Sequence, residues 1–366
     1  MSESLKVVVI GGVAGGMSAA TRLRRLREDA QITVYEMGEH VSYANCGLPY
    51  FVSNVIAERN SLLLQTPQSL KARFNIDVHV RSMVTKINRE AKTVSITNFQ
   101  TGESYEDSYD KLIISTGAKP RKLPIPGIDL AMALRNVTDA DAVKSAVERS
   151  GRGPAVILGA GFIAIELAEN LARLGVPTTI VQRTGTILSL FDTEMIAPLQ
   201  QRLIENGVNI VLNAEAAEIT PTEVRLKNGT SIPASMVFAA TGVVPDNQLA
   251  READLKIGET GGLWVDDQQR TSDPDIFAAG DAVEKHGLLT GRQSLIPLAN
   301  LANRHGRLVA DAIAGIETKV HPALGTVIIG AFELAAGITG LSERAAKKAG
   351  VKYEVVHLHP GSHAGY

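Results

Sequence analysis

Short apolar runs that end at glycine-rich turns dominate the pattern of the chain. Residues 5–10 form such a run and lead into a glycine turn at 11–16. Residues 17–28 then space their apolar side chains as a helix does, and 31–35 form a second apolar run. Short runs bounded by glycine predict buried parallel strands, and the longer periodic segment predicts a helix. The chain therefore opens with a predicted strand, turn, helix and strand.

The same order returns in the middle of the chain. An apolar run at 155–158 precedes a glycine turn at 159–164, a helical pattern at 166–174 and a second run at 176–181. Further strands are predicted at 111–115, 236–240 and 271–281, and 326–332, 335–339 and 352–357 predict three more around a helix at 342–349. Region 76–110 predicts an antiparallel ribbon, from the alternation of Val78, Val80, Val84, Ile87, Val94 and Ile96.

Composition narrows the class of protein. A chain of 366 residues is too long for one core and predicts two or three domains. A net charge of −2 gives no general attraction to nucleic acid or to an anionic membrane, and the sequence holds no apolar run long enough to predict a membrane span. Cys46 is the only cysteine, which excludes an internal disulfide and fits a reducing cytoplasm. No metal site is expected.

The first glycine turn carries the chemistry of dinucleotide binding. Gly11, Gly15 and Gly16 let the backbone approach a pyrophosphate at a helix N-terminus. Glu36 ends the second strand, where an acid accepts hydrogen bonds from a ribose. Val13 departs from the usual pattern because it occupies the position of the middle glycine.

The unit that begins with the second glycine turn has no acid at the end of its second strand. Its pyrophosphate-binding positions are Gly159, Gly161, Phe162 and Ile163, but the following strand ends in Gln182 and Arg183 instead of an acid. An arginine there can pair with a 2′-phosphate, which favours NADP over NAD, although a solvated arginine is the simpler alternative. Two such units predict two dinucleotides, a flavin cofactor and a nicotinamide.

Three strand ends, together with the two turns, resemble the two-domain flavoproteins of the pyridine nucleotide-disulfide oxidoreductase family. They are Thr116-Gly117, Thr241-Gly242 and Gly280-Asp281. The resemblance implies an α/β fold with two Rossmann-like, three-layer ββα domains and a partial C-terminal α+β interface domain. Residues 1–120 and 246–322 would bind FAD, 121–245 would bind NAD(P)H, and 323–366 would begin a dimerisation domain that looks truncated.

The resemblance also implies roles for single residues. Asp281 would bond the ribityl chain of FAD, Val84, Thr116, Gly117 and Gly280 would contribute to the FAD site, and Glu166, Thr241 and Gly242 would lie near the nicotinamide. Tyr366 matches the first of two consecutive tyrosines in a family motif, where a tyrosine reaches the cysteine of the partner in a homodimer and serves as an acid. A disordered terminal residue is the alternative for Tyr366.

Cys46 stands in the stretch Ser-Tyr-Ala-Asn-Cys-Gly-Leu-Pro-Tyr at 42–50, and Leu-Gln-Thr-Pro follows at 64–67 with Lys-Ala-Arg-Phe at 71–74. These stretches resemble the branch of coenzyme A-disulfide reductases and persulfide reductases. The related NADH oxidases and peroxidases place a histidine where this chain has Ala14. The resemblance implies that coenzyme A is held by cationic and polar side chains, for which the alternative is a solvated surface. The candidates are Arg22, Arg25, Ser42, Asn45, Lys71, Arg73, Asn303 and Arg304.

The predicted function is FAD-dependent reduction, by NADPH or NADH, of coenzyme A disulfide, its persulfide or a polysulfide, through a mixed disulfide between Cys46 and coenzyme A. A short helix starting near Gly47 is expected to lower the pKa of Cys46 through its dipole. Two alternatives stay open. One is an NADH oxidase or peroxidase that cycles through a sulfenic acid, and the other is a flavoprotein reductase of an electron-transfer protein.

Overall fold

The structure, a computed structural model, describes residues 4–361 and residue 365. The first strands in chain order are β1 (Lys6–Ile10), β2 (Gln31–Tyr35), β3 (Asp77–His79), β4 (Ser82–Asn88), β5 (Thr93–Asn98), β6 (Ser104–Ser108), β7 (Lys111–Ile114), β8 (Ala118–Pro120), β9 (Ala155–Leu158), β10 (Thr178–Val181), β11 (Val208–Val211) and β12 (Ala216–Ile219). The remaining strands of the described residues are β13 (Glu223–Leu226), β14 (Ser231–Pro233), β15 (Met236–Ala239), β16 (Val243–Pro245), β17 (Ile276–Ala278), β18 (Lys285–His286), β19 (Gln293–Ser294), β20 (Val327–Ala331) and β21 (Leu334–Ile338).

Helices alternate with these strands. Within the described part of the chain they are α1 (Ala14–Leu26), α2 (Leu48–Val52), α3 (Pro67–Phe74), α4 (Val137–Arg149), α5 (Phe162–Arg173), α6 (Thr193–Glu205), α7 (Gln248–Glu252), α8 (Ala299–Ile313) and α9 (Glu343–Ala349). None of them combines the length and apolar character that crossing a membrane requires.

The first parallel sheet has the strand order β17-β7-β1-β2-β3 and is covered differently on its two faces. Val7 and Val9 of β1 pack against side chains of α1 and α8. Val8 and Ile10 point to the other face and pack against β4 and β5 of the antiparallel sheet β4-β5-β6. Because alternate residues of a strand point to opposite faces, one apolar run supplies both cores, and the unit is a three-layer ββα sandwich.

The second parallel sheet, β11-β10-β9-β15, repeats this arrangement. Ala155 and Ile157 of β9 join a core with α4, α5 and α6. Val156 and Leu158 pack against the antiparallel sheet β12-β13-β14. The short antiparallel pair of β8 and β16 lies between the two units along the chain. The expected α/β class with two three-layer units is confirmed.

Several predicted boundaries need correction. Val78 lies in β3, which pairs in parallel with β2, so it belongs to the first parallel sheet and not to the antiparallel ribbon. A bulge between Val84 and Lys86 breaks the alternation that the prediction assumed. Helices α1 and α5 begin at Ala14 and Phe162, within the predicted glycine turns and earlier than their apolar spacing indicates.

The C-terminal region forms one hairpin and one helix. The two strands predicted at 326–332 and 335–339 form as β20 and β21, and they pair with each other as an antiparallel hairpin. Ser342 caps α9 by accepting a hydrogen bond from the Ala345 amide. The strand predicted at 352–357 is wrong, because this segment is exposed and pairs with no strand among the described residues. An apolar alternation with no partner strand beside it cannot form the ladder that stabilises a strand.

Candidate active site

The only cysteine stands on a tight turn between two anchored segments. Residues Asn45–Gly47 form a 3₁₀ turn that continues into α2, and Cys46 is exposed on it. The Ala44 amide donates to the Leu62 carbonyl oxygen at 2.8 Å, and Gly47 is buried beneath the turn. A Cβ at Gly47 would lie 2.9 Å from Leu62. The turn is therefore held closely from below while its thiol faces outward.

The electrostatics of this thiol contradict the expectation from sequence. Partial burial, and next the negative charge of Glu166, raise the pKa of the Cys46 thiol. Helix α2 has only five residues, so its dipole is too small to reverse that effect. In this state the thiol is held protonated more firmly than a free cysteine. Its conversion to the reactive thiolate requires a change in nearby charge.

The first glycine turn is shaped for close approach of a ligand. Gly11 has a φ of +99°, and a Cβ there would lie 2.2 Å from the Ser115 carbonyl oxygen. A Cβ at Gly15 would meet the Ser115 hydroxyl at 2.7 Å, and one at Gly16 would lie 2.0 Å from the Gly11 carbonyl oxygen. Side chains at these positions would fill the turn, so the predicted glycines are required by geometry.

Glu36, the predicted ribose acceptor, is hydrogen-bonded to the backbone of the first glycine turn and of the segment after β2. Its carboxylate accepts hydrogen bonds from the Gly12 amide at 2.8 Å and the Gly38 amide at 2.7 Å. Burial raises the pKa of Glu36, and these two amides oppose the rise. The carboxylate is thereby fixed beside the glycine turn.

The second glycine turn has the same construction. Gly159 has a φ of +102°, and a Cβ there would lie 2.4 Å from the Ala240 carbonyl oxygen. Gly161 is exposed, and a Cβ on it would meet nothing within 4 Å. Past β10, Gln182 donates to the Thr184 hydroxyl at 2.8 Å, and Arg183 is exposed.

The donor sets of both turns fit a dinucleotide. Among the described residues, neither α1 nor α5 has a side-chain N-cap or an acidic residue in its first turn. Their first amides are thus left for an anion, and the helix dipole favours negative charge there. The residues present fit a pyrophosphate at each turn.

Most of the remaining predicted cofactor residues lie at strand ends, and Val84 lies within β4. The Thr116 hydroxyl donates to the Asp246 carbonyl oxygen at 2.8 Å, and the Thr241 hydroxyl donates to the Arg121 carbonyl oxygen at 2.9 Å. Gly117, Gly242 and Gly280 all have positive φ values. Val84 is buried in the core between the parallel sheet and the ribbon.

Asp281 follows β17, and the charges of two basic residues that the sequence motifs did not indicate act on its carboxylate. Burial raises its pKa, and the charges of Lys285 and Arg135 oppose that rise. Arg135 also donates to the Ala118 carbonyl oxygen at 2.9 Å, and it precedes Asn136, the N-cap of α4. The N-cap at Asn136 is recognisable in the sequence. The proximity of Arg135 to Asp281 is not, because no sequence motif connects these two residues.

The predicted coenzyme A residues fall into two groups. Two of the cations are engaged by acids, since Arg22 pairs with Asp311 at 2.8 Å and Lys71 pairs with Asp77 at 2.7 Å. Arg25 and Arg73 both lie over the ring of Phe74, with their guanidinium carbons 5.7 and 5.1 Å from its centroid.

The other predicted coenzyme A residues are polar groups on the turn and on α8. Ser42 adopts a φ of +48°, Asn45 and Arg304 are exposed, and Asn303 accepts a hydrogen bond from Ser18 at 3.0 Å. Tyr366 lies outside the described residues.

Helix α5 links the second turn to the cysteine segment and to the C-terminal hairpin. The Asn170 side chain donates to the Glu166 carbonyl oxygen at 2.7 Å and accepts from Ser53 at 2.5 Å, just past α2. The buried carboxylate of Glu169 accepts from the Phe332 amide at 2.8 Å. Burial, and next the charge of Glu169, raise the pKa of Glu166 to about 7. Glu166 therefore titrates near neutrality.

Replacing Glu166 with glutamine should change how the free energy of unfolding depends on pH. The folded pKa of about 7 lies above the ordinary value of 4.5. The stability from this group is therefore present in full below about pH 4.5 and is lost as pH rises through 7. Glutamine cannot ionise, so Glu166→Gln should gain roughly 1–3 kcal/mol over wild type between pH 5.5 and pH 8.5.

Urea unfolding of the two holoproteins at both pH values measures this difference. Glu28→Gln, at an exposed position of the first unit, is the matched control and should show no such gain. An equal difference between Glu166→Gln and wild type at both pH values would contradict the shifted titration.

Comparison with known proteins identifies the class. A family model described as pyridine nucleotide-disulphide oxidoreductase matches residues 5–306, and the chain belongs to this family. It is therefore an oxidoreductase, and the FAD and NAD(P)H predicted from its two turns are the cofactors of this family.

Several individual relatives are similar over nearly the whole of this chain. The chain is 32% identical to a coenzyme A disulfide reductase of Staphylococcus aureus, over 99% of its own length and 82% of that protein. Its fold is similar to that of reduced Bacillus anthracis CoADR-RHD, with a TM-score of 0.96 and 43% identity over 99% of this chain and 66% of the other. It is also similar to a NAD-dependent persulfide reductase from A. fulgidus, with a TM-score of 0.92 and 37% identity over 95% of this chain and 66% of the other. The chain thus spans slightly less than two thirds of these two solved chains.

Proposed function

We propose that this protein uses NAD(P)H to reduce coenzyme A disulfide, or the persulfide or a polysulfide of coenzyme A, through a mixed disulfide on Cys46. One observation carries the proposal: the segment of the only cysteine joins both dinucleotide units. The Ser42 amide donates to the Gly12 carbonyl oxygen at 2.9 Å, within the first turn. At the other end, Ser53 bonds Asn170 of α5, the helix that starts at the second turn.

These positions assign one dinucleotide to each unit. Residues 1–120 and 246–322 would hold FAD through Gly11, Gly15, Gly16, Glu36 and Asp281, and residues 121–245 would hold the nicotinamide dinucleotide at the Gly159 turn. When bound, FAD supplies the two electrons, drawn from NAD(P)H, that the reduction of a disulfide requires. The chain itself contributes the orientation of these groups and the thiol.

The chemistry on the thiol needs a substrate sulfur, because the chain has no second cysteine. The Cys46 thiolate attacks one sulfur of coenzyme A disulfide, forms the mixed disulfide and releases one coenzyme A thiolate. The raised pKa of Cys46 would restrict this attack until charge nearby changes. Protonation of Glu166, whose pKa is about 7, removes one negative charge that opposes the thiolate.

The phosphates of coenzyme A would be bound by cations near the turn. Arg25 and Arg73 share the ring of Phe74, which fixes both guanidinium groups without neutralising them. We assign these two the larger share of the phosphate contacts, since acids already engage Arg22 and Lys71. Ser42, Asn45, Asn303 and Arg304 complete the proposed coenzyme site.

The proposal also includes a homodimer and a cytoplasmic location. Hairpin β20–β21 and α9 would start a dimerisation domain, and Tyr366 would approach the cysteine of the partner in a homodimer. A protein with a single redox-active thiol suits the reducing cytoplasm.

Replacing Arg183 with alanine should reduce the preference for NADPH. Arg183 is exposed beside the end of β10, where it can pair with a 2′-phosphate. Losing this charged contact should lower kcat/KM for NADPH about 10–100-fold and leave kcat/KM for NADH nearly unchanged. Steady-state kinetics with both nucleotides measure the ratio, and Arg149→Ala, an exposed arginine of the same unit, is the control. A wild-type preference for NADH would contradict the role of Arg183.

Anaerobic oxidation of NADPH with and without coenzyme A disulfide tests the proposed function. We expect rapid oxidation only when the disulfide is present, with two coenzyme A thiols formed per NADPH consumed. NADPH oxidation that requires oxygen and does not depend on the disulfide would instead favour the oxidase. The oxidases carry a histidine at the position that Ala14 occupies in this chain.

A further inference from the structure

A buried lysine, Lys285, follows Asp281, the aspartate proposed to bind FAD, by four residues. After β17 the chain turns through Gly280–Val283 and returns in β18, which begins at Lys285. Lys285 is only 4% exposed. Its ammonium donates to the Gly280 carbonyl oxygen at 2.7 Å and to the Val283 carbonyl oxygen at 2.8 Å. Lysines are almost never buried to this degree unless a partner compensates them.

The two carbonyl contacts fix the backbone on both sides of Asp281. Gly280 precedes this aspartate with a φ of +87°, and the Val283 amide closes the turn by donating to the Gly280 carbonyl oxygen at 3.2 Å. The ammonium therefore bridges the two ends of the turn that carries Asp281. Removing it would leave two buried carbonyl oxygens with fewer donors and the turn free to shift.

Charge couples the same two residues. Burial lowers the pKa of Lys285 to about 8, and Asp281 opposes the fall. In return, the charge of Lys285 holds down the pKa of Asp281 against the effect of burial. An ionised Asp281 has only acceptor oxygens, which is the form that ribityl hydroxyl groups can donate to.

The other groups that face this pair do not replace the lysine. Arg135 also lowers the pKa of Asp281, but it lies on the segment before α4. His305 of α8 is 2% exposed, and burial, followed by the charges of Lys285 and Arg304, lowers its pKa to about 4. The imidazole is therefore neutral at physiological pH. Lys285 is the cation that donates hydrogen bonds to the turn.

We propose that Lys285 is a positioning residue for FAD: its two carbonyl contacts hold the Gly280–Val283 turn, so that Asp281 is oriented to bind the ribityl chain. The inference rests on the proposed assignment of Asp281 to FAD. It assigns a role to a residue whose ammonium is engaged by two backbone carbonyl oxygens and which acts through Asp281.

A double-mutant cycle on the Kd for FAD tests this coupling. Wild type, Lys285→Met, Asp281→Asn and the double variant are purified as holoproteins, and FAD release on dilution is followed by flavin fluorescence. Each single change should weaken FAD binding about 10–100-fold. In the Asp281→Asn background, Lys285→Met should cost less than about 3-fold, because residues that act as a unit are not additive. Lys111→Met, which removes a lysine bound to Asp275 at the far end of β7, should leave the Kd unchanged.

The outcomes separate the two assumptions. If Asp281→Asn leaves the Kd for FAD unchanged, the assignment of Asp281 fails, and the proposed FAD site must be revised. If Asp281→Asn weakens binding but Lys285→Met does not, or if their effects simply add, the role of Lys285 is overturned and that of Asp281 stands.

A pH profile of wild type keeps the proposal testable if Lys285→Met does not fold. Because Lys285 loses its charge near pH 8, FAD release from the wild-type holoprotein should accelerate as pH rises from 7 to 9. In Asp281→Asn this acceleration should disappear. A flat wild-type profile, or the same acceleration in both proteins, would overturn the proposal.

Discussion

Replacing Cys46 with serine should reduce the turnover of coenzyme A disulfide by at least about 1,000-fold, while FAD stays bound and is still reduced by NADPH. Serine keeps the size of the side chain, and the turn beneath it is held by the Ala44–Leu62 hydrogen bond and by buried Gly47, which the change does not touch. The hydroxyl cannot form a disulfide with the substrate. No other cysteine of the chain can take over.

Two assays on the same sample separate the half-reactions. Bleaching of the flavin absorbance by NADPH under anaerobic conditions reports the first, and release of free coenzyme A thiol reports the second. Ser104→Ala, which removes an exposed hydroxyl of β6 and leaves the thiol, is the control and should retain turnover within about 10-fold. Disulfide turnover by Cys46→Ser above about a tenth of the wild-type rate would contradict the role of Cys46.

Replacing Gly16 with alanine should produce a protein that is less stable and nearly free of FAD. The new methyl group would lie 2.0 Å from the Gly11 carbonyl oxygen and 3.0 Å from Val9, and both belong to the first strand and its turn. Backbone cannot move aside as a flexible side chain can, so the turn must open. Overpacking of this kind costs about 1–3 kcal/mol and here also displaces the amides that face the pyrophosphate.

The ratio of flavin absorbance to protein absorbance after purification measures the loss of FAD, and thermal unfolding measures the stability. Gly161→Ala is the matched control from the second turn, because its methyl group would meet nothing within 4 Å and its φ is −84°. That variant should keep its FAD. A full complement of FAD in Gly16→Ala would show that the turn tolerates a side chain.

The buried strands were the most predictable part of the fold. Strands β2 and β9 begin and end where the apolar pattern predicts, because fully buried strands need continuous apolar runs and glycine marks their ends. Helix starts were less accurate, since Ala14 and Phe162 belong to the first turn, where amides and not apolar contacts determine the residue type. The segment 352–357 failed because alternation predicts a strand without showing what pairs with it.

The local chemistry of the site was predictable where one turn contains it. The spacing predicts that Glu36 ends the second strand beside the first glycine turn, and its carboxylate lies 2.8 Å from the Gly12 amide. The pKa of Cys46 was not predictable, because both causes of its rise depend on the folded chain: burial of the thiol and, next, the charge of Glu166 from a distant part of the sequence. Arg135 and Lys285 were missed for the same reason: only the folded chain brings their charges to Asp281.

The intact mass of the protein after exposure to coenzyme A disulfide tests the central claim most directly. Reduced protein is freed of reductant, treated with the disulfide in the absence of NAD(P)H, desalted and weighed by mass spectrometry. We predict one coenzyme A per chain on wild type, removed by dithiothreitol, and none on Cys46→Ser. A wild-type protein that remains unmodified, or an equal adduct on Cys46→Ser, would contradict the account.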